Sequence, residues 1–155
     1  MKQKFIDLYM AWAERSAQLS HARRLQVGAI IVKDDSVISY GYNGMPAGWD
    51  NNCEDEVREE GEYALDMGGP LHKMTMIELK TKPEVLHAES NAIAKLAKST
   101  NSGMGATMFI THAPCIECAK LIYQSGIGHV LYRSAYRDTS GIAFLEKSGV
   151  EVEQI

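Results

Sequence analysis

The sequence predicts an α/β sandwich whose sheet is partly parallel. Short apolar runs at 27–32, 37–42, 106–111 and 129–133 are separated by stretches of helical spacing. Towards the C-terminus two units repeat the order helix, Ser-Gly, apolar residue and strand, which is typical of parallel pairing. With 155 residues, 45% apolar and 23% charged, the chain is long enough to bury a sizeable core. We therefore expect one domain over 1–155.

The first predicted elements are a helix and a β-hairpin. Residues 2–19 show helical spacing of apolar side chains, which predicts an amphipathic helix. Its predicted inner face comprises Phe5, Leu8, Tyr9, Trp12, Ser16 and Leu19. The strands at 27–32 and 37–42 flank Asp34-Asp35, which we interpret as the turn of the hairpin.

The stretch 44–84 is the least regular part of the chain. It starts as a Pro/Gly loop, "MPAGWDNN", and Glu54–Asp66 is interpreted as a helix. A stretch of this length with little regular structure is unusual in a compact domain and is often functional or mobile. We therefore treat 51–84 as an insert of uncertain structure.

The second half returns to a regular alternation of helices and strands. A helix over 85–99 precedes the strand at 106–111. A helix over Cys115–Gln124 ends at Ser125-Gly126, where glycine supplies a left-handed cap. The last elements are a strand at 129–133, a helix at Thr139–Lys147 that ends at Ser148-Gly149, and a final strand in "VEVEQI".

Charge and hydropathy argue against a nucleic-acid partner and against a membrane-spanning segment. The net charge is −4 with no basic stripe, so we expect no nucleic-acid partner. No apolar run approaches the length of a membrane span, and Asp7 and Glu14 interrupt the N-terminal segment, which lacks the features of a signal peptide. We therefore expect a cytoplasmic protein. A small anionic ligand is compatible with this charge, because one or two arginines can hold a single phosphate.

Cys115 and Cys118 follow Pro114 at a predicted helix start. Positions i and i+3 share one helix face, so the two sulfurs can converge, and the positive helix end favours thiolates. This arrangement suits a zinc ion, and it suits a redox pair equally well. Cys53 is interpreted as a free thiol, the alternative being a second, structural metal site with His21 or His72.

A second helix start, in "LHAESNAIAKLA", carries His87 and Glu89. At a helix mouth both side chains can face a site lying off the helix end. His87 would then join Cys115 and Cys118, and three protein ligands leave a fourth position for water, as in catalytic zinc sites. Glu89 would be free to act as a base. Taken singly, His87 is more simply an ordinary polar residue and Glu89 a solvated helix-start residue.

The conjunction of these residues is more specific than any one of them. The order H-A-E, 24 residues, then P-C-I-E-C matches the H-x-E…P-C-x-x-C signature of zinc-dependent deaminases. The other histidines show no such partner pattern; they are His21, His72, His112 and His129.

From "QVGAIIVKDDSVISYGYNGMPAG" to Tyr136-Arg137 the chain resembles the deoxycytidylate (dCMP) deaminases of the cytidine-deaminase-like superfamily. The segment "GYNGMPAG" points to the deoxycytidylate branch rather than to the wider superfamily. The resemblance implies a three-layer α/β/α sandwich around a five-stranded mixed sheet. It does not extend over 51–84.

The resemblance implies hydrolytic deamination of dCMP to dUMP and ammonia. One catalytic Zn²⁺, held by His87, Cys115 and Cys118, would activate water, and Glu89 would carry protons to N3 and to the departing ammonia. Ala88 N–H would meet the pyrimidine O2, the Ala113 carbonyl the exocyclic amine, and Asn43 the sugar. The 5′-phosphate contacts would be Arg24, with Arg23 as a substitute, Tyr136 and Arg137.

The resemblance also implies regulation. Many relatives are hexamers activated by dCTP and inhibited by dTTP, with effectors bound at the loop 43–54, here represented by Gly44, Met45 and Ala47. The acidic run Glu54–Glu62 would repel a triphosphate effector unless Mg²⁺ or basic residues of a neighbouring subunit intervened. The simpler interpretation of that run is a solvated helix.

Two other functions share part of the pattern. A nucleic-acid base deaminase of the tRNA type has the same zinc motif, but it needs an electrostatic track that this acidic chain lacks. A non-enzymatic, zinc-stabilised binding module would close the fourth ligand position and give Glu89 no role.

Overall fold

The structure is a computed structural model that describes residues 1–65 and 67–155. In chain order these residues form α1 (Gln3–Ala17), β1 (Gly28–Lys33), β2 (Ser36–Tyr42), β3 (Glu54–Ala64), β4 (Leu71–Thr81), α2 (Ala88–Ala97), β5 (Thr107–His112), α3 (Ile116–Gln124), β6 (His129–Ser134), α4 (Ser140–Lys147) and β7 (Glu151–Gln154). Among the described residues, no helix combines the length and apolar character needed to cross a bilayer.

Five strands form one mixed sheet in the order β2-β1-β5-β6-β7, and β3 and β4 form a separate pair. β1 runs antiparallel to β2 and β5, whereas β5, β6 and β7 are parallel. Asp34 and Asp35 have φ values of 50° and 57°, so the predicted turn has the left-handed backbone that suits a tight hairpin. α3 and α4 join the parallel strands, as the repeated helix-strand units predicted.

Helices cover both faces of the sheet, because successive strand residues point to opposite sides. One face packs against α2, α3 and α4 through Ala29, Ile31, Met108, Ile110 and Val130. The other packs against α1 through Ile30, Val32, Phe109 and Leu131. The predicted three-layer α/β/α sandwich around a five-stranded mixed sheet is confirmed.

The predicted inner face of α1 is confirmed at Tyr9, which is buried, and at Phe5, which packs against the same cluster, but it is wrong at other positions. Three of its large residues are exposed, at 43%, 49% and 52%: Leu8, Trp12 and Leu19. The buried residues are Tyr9, Met10, Ala13 and Ala17. A Cβ at Gly28 would lie 2.0 Å from the Ala13 carbonyl oxygen, so α1 approaches β1 closely. Ala13 and Ala17 therefore allow the close approach beside Gly28, and Tyr9 and Met10 fill the rest of the contact.

The predicted helix at Glu54–Asp66 is also wrong. β3 pairs antiparallel with β4 over 11 residues, and Asp66 lies outside the described residues. In the hairpin Glu62 lies opposite Lys73, so a cross-strand cation offsets part of the acidic run. A helix would have placed like charges three and four positions apart, where they repel.

The remaining boundaries shift by a few residues. α2 begins at Ala88 rather than at residue 85, and α3 begins one residue after Cys115, which is its N-cap. Pro114 therefore precedes α3 instead of opening it. α3 and α4 end as predicted, with Gly126 and Gly149 at φ values of 78° and 80°.

Candidate active site

The N-termini of α2 and α3 meet at one edge of the sheet. His87 is the N-cap of α2, and Cys115 is the N-cap of α3, with Cys118 in the first turn. The Nδ1 atom of His87 lies 3.6 Å from Cys115 Sγ and 3.4 Å from Cys118 Sγ. The structure thus brings together three donor atoms from segments almost thirty residues apart, all within 4.8 Å of one another.

The spacing of these atoms fits a zinc ion. Tetrahedral zinc with ordinary Zn–S and Zn–N bonds separates a nitrogen ligand from a sulfur ligand by about 3.6 Å. The two distances from His87 Nδ1 match that value closely. One nitrogen and two sulfur donors also form a set that zinc prefers over magnesium or calcium. His87, Cys115 and Cys118 could therefore hold the ion.

A second metal site at Cys53 is not formed by the described residues. The Cys53 thiol is buried and donates to the Asn51 carbonyl oxygen at 3.4 Å, and burial raises its pKa. His72 lies opposite Tyr63 near the turn of the β3–β4 hairpin, whereas Cys53 precedes Glu54 at the open end of that hairpin. In the part of the chain that the structure describes, neither His21 nor His72 belongs to a metal-binding cluster.

Hydrogen bonds among His87, Cys115 and Cys118 shift the pKa values of the two cysteines in opposite directions. Hydrogen bonds from Cys118 and then from His87 lower the pKa of Cys115 to about 3. The pKa of Cys118 is raised, first because its thiol donates to Cys115 and then by burial. The pKa of His87 is raised because its ring donates to Cys115. One thiolate is therefore stabilised, and metal binding has to displace the Cys118 thiol proton and the proton on His87 Nδ1.

Glu89 lies in the first turn of α2 and is only 4% exposed. Burial raises the pKa of its carboxyl group. The carboxyl group lines the same cavity as His87 and Cys115, and its charge contributes to the raised pKa of Cys118. A buried carboxyl group with a raised pKa can take up and release a proton inside the site, as general acid–base chemistry requires.

Close packing against β2 positions the first turn of α2. A Cβ at Gly41 would lie 2.1 Å from the Ala88 carbonyl oxygen, so the absence of a side chain allows the approach. The Asn91 side-chain amide also donates to the Tyr42 carbonyl oxygen at 2.8 Å. These contacts set the position of the start of α2, and with it the positions of His87 and Glu89.

A cavity of about 350 Å³ opens beside the site. His87, Glu89 and Cys115 form part of its wall. The wall also includes all the predicted substrate contacts: Arg24, Asn43, Ala88, Ala113, Tyr136 and Arg137. The fold therefore gathers the candidate reaction centre and the candidate phosphate contacts around one space.

Arg24, rather than Arg23, is positioned for a ligand. Arg24 lines the cavity, and its guanidinium donates to Thr81 Oγ1 at 3.5 Å. The Arg23 guanidinium instead donates to Glu56 Oε1 at 3.0 Å. Arg137, after β6, supplies a second cation to the cavity wall.

The side chain of Asn43 braces the cavity wall. Its Oδ1 accepts the Val27 N–H and its Nδ2 donates to the Leu25 carbonyl oxygen, both at 2.8 Å. A side-chain amide has two N–H groups, and Nδ2 has this one acceptor within 1–65 and 67–155, so its second N–H can donate to a ligand. Asn43 can therefore contribute a donor to the predicted sugar contact while it holds the wall together.

The three predicted effector residues lie outside the cavity wall. The N–H and carbonyl groups of Gly44 pair with Leu86 at 3.0 Å and 2.8 Å. Met45 packs against a small buried cluster that includes Cys53, and Ala47 is exposed. An effector at this loop would occupy a site separate from the cavity.

Sequence reasoning missed several residues of the wall: Ala22, Leu25, Val27, Glu54, Thr81, Val85 and His112. Nothing in the sequence distinguished Glu54 from the exposed acidic residues that follow it. The pairing of β3 with β4 places Glu54 opposite Thr81 at the base of the hairpin, beside the cavity. His112 could have been found, since it stands next to Ala113 in the Pro-Cys segment.

The fold and the site together define an α/β protein with a zinc-type ligand set beside a buried glutamate. A family model described as the cytidine and deoxycytidylate deaminase zinc-binding region matches residues 3–134. The chain therefore belongs to the cytidine and deoxycytidylate deaminase family, and the resemblance seen in the sequence is confirmed.

Similar proteins within this family carry the name deoxycytidylate deaminase. The human protein is 39% identical over 136 residues, which span 86% of this chain and 67% of the relative. The protein of Enterobacteria phage T4 is 36% identical over 151 residues, which span 82% of this chain and 77% of the relative. A crystal structure of the dCMP deaminase from cyanophage S-TIM5 in complex with dCMP and dUMP is 41% identical, with a TM-score of 0.81 over 100% and 99% of the two chains.

A more distant structure, from a study of tRNA:A34 deaminases, is 18% identical with a TM-score of 0.55. At that identity the likeness concerns the fold alone.

Proposed function

We propose that the chain catalyses the hydrolytic deamination of dCMP to dUMP and ammonia. The observation that carries this proposal is the shared cavity. One space is lined both by the zinc-type ligand set with Glu89 and by the cations Arg24 and Arg137. A reaction centre and a phosphate-binding end in one cavity suit a nucleoside monophosphate, and the names of the similar proteins support the same substrate.

His87, Cys115 and Cys118 would hold the zinc ion, which supplies a nucleophile from water at neutral pH. The oxygen of water ends on C4 of cytosine, and the bond from C4 to the exocyclic nitrogen breaks. One water proton ends on N3 and the other on the leaving amine. Glu89 is the buried carboxyl group beside the ligand set, so it carries both protons.

Groups around the cavity would orient the substrate. The N–H of Ala88 and the carbonyl group of Ala113 would contact O2 and the exocyclic amine of the base, because both residues line the wall next to the ligand set. Arg24, Arg137 and Tyr136 would hold the 5′-phosphate by charge-assisted hydrogen bonds. The free N–H of the Asn43 amide would reach the sugar.

Regulation and assembly are part of the same proposal. We propose that dCTP activates and dTTP inhibits a hexamer, with Gly44, Met45 and Ala47 in the effector site and Mg²⁺ accompanying the triphosphate. We also propose that 1–155 act as one deaminase domain in the cytoplasm. A sigmoidal dCMP saturation curve that becomes hyperbolic with dCTP supports the regulatory part, and curves unchanged by either effector contradict it.

The substrate assignment is tested by release of ammonia from dCMP, deoxycytidine and a tRNA substrate, each with and without a chelator. We expect dCMP to be the preferred substrate and the chelator to abolish turnover. Preference for deoxycytidine or for the tRNA contradicts the nucleotide assignment. Bound zinc with no turnover of any substrate favours a zinc-stabilised binding module instead.

A further inference from the structure

Glu54 is a buried carboxylate in the cavity wall to which the proposed reaction assigns no role. It is 1% exposed and is the first residue of β3. Its Oε1 accepts the backbone N–H groups of Arg23 and Arg24 at 3.0 Å and 3.1 Å. Its Oε2 has no hydrogen-bond partner among residues 1–65 and 67–155.

The nearest cation does not satisfy this oxygen. Arg23 Nε lies 3.7 Å from Glu54 Oε2, beyond hydrogen-bond range, and the same guanidinium donates to Glu56 at 3.0 Å. A buried carboxylate oxygen without a donor is costly, so it calls for a partner such as a ligand group, an ion or an ordered water. Glu54 thus combines a place in the cavity wall with an acceptor oxygen that lacks a donor among the described residues.

The surroundings of Glu54 indicate which ligand group can donate. Its hydrogen bonds join it to the segment of Arg24, whereas Glu89 belongs to α2 beside the cysteines. A carboxylate repels the phosphate, and Glu89 with the neighbouring backbone serves the base. Between base and phosphate lies the sugar, and the 3′-hydroxyl is the one hydroxyl donor of a 2′-deoxynucleoside 5′-monophosphate.

We propose that Oε2 of Glu54 accepts a hydrogen bond from the 3′-hydroxyl of the substrate and makes the site selective for nucleotides that carry this group. This inference rests on the proposed deamination of dCMP. Asn43 complements it, because its oxygen already accepts the Val27 N–H while its free N–H can donate to the same hydroxyl oxygen. Glu54 is thus a specificity-determining residue on the hairpin.

The test compares the turnover of dCMP and of 2′,3′-dideoxy-CMP by the wild type, Glu54→Gln and Glu56→Gln. Glutamine keeps an oxygen for the two backbone N–H groups and puts an NH₂ group, which cannot accept, in place of the bare oxygen. Glu56→Gln is the matched control, because its carboxylate lies two residues further along β3, is 39% exposed and does not line the cavity.

We expect the wild type and Glu56→Gln to prefer dCMP by on the order of 100-fold in kcat/KM, because the dideoxy analogue leaves a buried acceptor unpaired. Glu54→Gln should reduce this preference to less than about tenfold. Circular dichroism will show whether Glu54→Gln folds. If it does not, Glu54→Asp replaces it, because its side chain is one methylene shorter and its carboxylate no longer reaches the 3′-hydroxyl. Glu54→Asp should show the same loss of preference for dCMP.

Two results overturn the proposal. One is a wild type that turns over both nucleotides with similar kcat/KM. The other is a folded Glu54 variant that keeps the wild-type preference. A merely structural role of Glu54 would lower turnover of both nucleotides alike and leave their ratio unchanged. Absence of dCMP turnover in the wild type is a different outcome, and it overturns the proposed function itself.

Discussion

Cys115 and Cys118 lie side by side, yet hydrogen bonding moves their pKa values in opposite directions. The pKa of Cys115 is lowered to about 3, whereas the pKa of Cys118 is raised. Burial also raises the pKa of Glu89 next to them. At the scale of residues, the site therefore combines a ready thiolate ligand with a carboxyl group suited to proton transfer.

The role of Arg137 as a phosphate contact is testable with two substrates. Arg137→Ala should lower kcat/KM for dCMP by about 10- to 100-fold, because the loss of one charge-assisted hydrogen bond to the phosphate has an effect of this size. It should leave the low turnover of deoxycytidine, which has no phosphate, within about twofold. Arg133→Ala is the control, because the Arg133 guanidinium donates to Glu14 on α1 at 3.2 Å. Equal loss on both substrates would argue against a phosphate contact.

His112 should make stability depend on pH. Its ring is half-buried in the cavity wall, and burial lowers its pKa. The pKa of His112 in the unfolded chain is about 6.5, so as pH falls through this value the unfolded chain takes up the proton before the folded chain does. The contribution of the neutral His112 ring to the free energy of unfolding is therefore present above that pH and lost below it. Between about pH 7.5 and about pH 5.5, His112→Gln should therefore lose less free energy of unfolding than the wild type in urea titrations. Equal losses would contradict this.

At the scale of elements, the position of α2 depends on β2. The helix carries His87 at its N-cap and Glu89 in its first turn, and its backbone rests against Gly41. β2 in turn pairs with β1, whose residues Ala29 and Ile31 belong to the buried core. The sheet therefore supports both His87, the predicted zinc ligand, and Glu89, the proposed proton carrier, as a precisely held site requires.

Gly41→Ala tests this support. The added Cβ would lie 2.1 Å from the Ala88 carbonyl oxygen and would push α2 away from the sheet. We expect the free energy of unfolding to fall by about 1–3 kcal/mol. Turnover of dCMP should fall by at least about tenfold, because a shift on the order of 1 Å misplaces the reacting groups.

Gly128→Ala is the matched control for Gly41→Ala. The nearest atom to its added Cβ is Gly105 Cα at 3.9 Å, an ordinary contact. Urea unfolding and ammonia release on the two variants make the comparison. A Gly41→Ala variant with wild-type stability and turnover would show that α2 does not need this close approach.

The elements also show what sequence patterns can and cannot predict. The turn at Asp34-Asp35 and the helix ends at Gly126 and Gly149 were predictable, because a left-handed backbone selects few residue types. The inner face of α1 was predictable only in part, because the close helix–strand contact at Gly28 uses Ala13 and Ala17, which the spacing of large apolar residues does not single out. The hairpin β3–β4 was hidden by its acidic composition, since cross-strand lysines become neighbours only after pairing.

At the scale of the whole molecule, the site joins distant segments of an acidic chain. The ligand set was predictable, because its residues are chemically rare and stand at helix starts. The role of Glu54 was not, since the hairpin that places it beside the cavity was interpreted as a helix. The net charge of −4 and the two cavity arginines together favour a small nucleotide over a polymer.

The central claim is that His87, Cys115 and Cys118 hold zinc while Glu89 moves protons for the deamination of dCMP. The most direct measurement is the zinc content and the ammonia release of Glu89→Gln. We expect about one zinc per chain and a loss of turnover of about 1000-fold or more, because the proton carrier is gone but the ligands remain. Glu117→Gln, an exposed change in the first turn of α3, should keep both properties. Near wild-type turnover in Glu89→Gln, or loss of its zinc with the fold intact, would contradict the account.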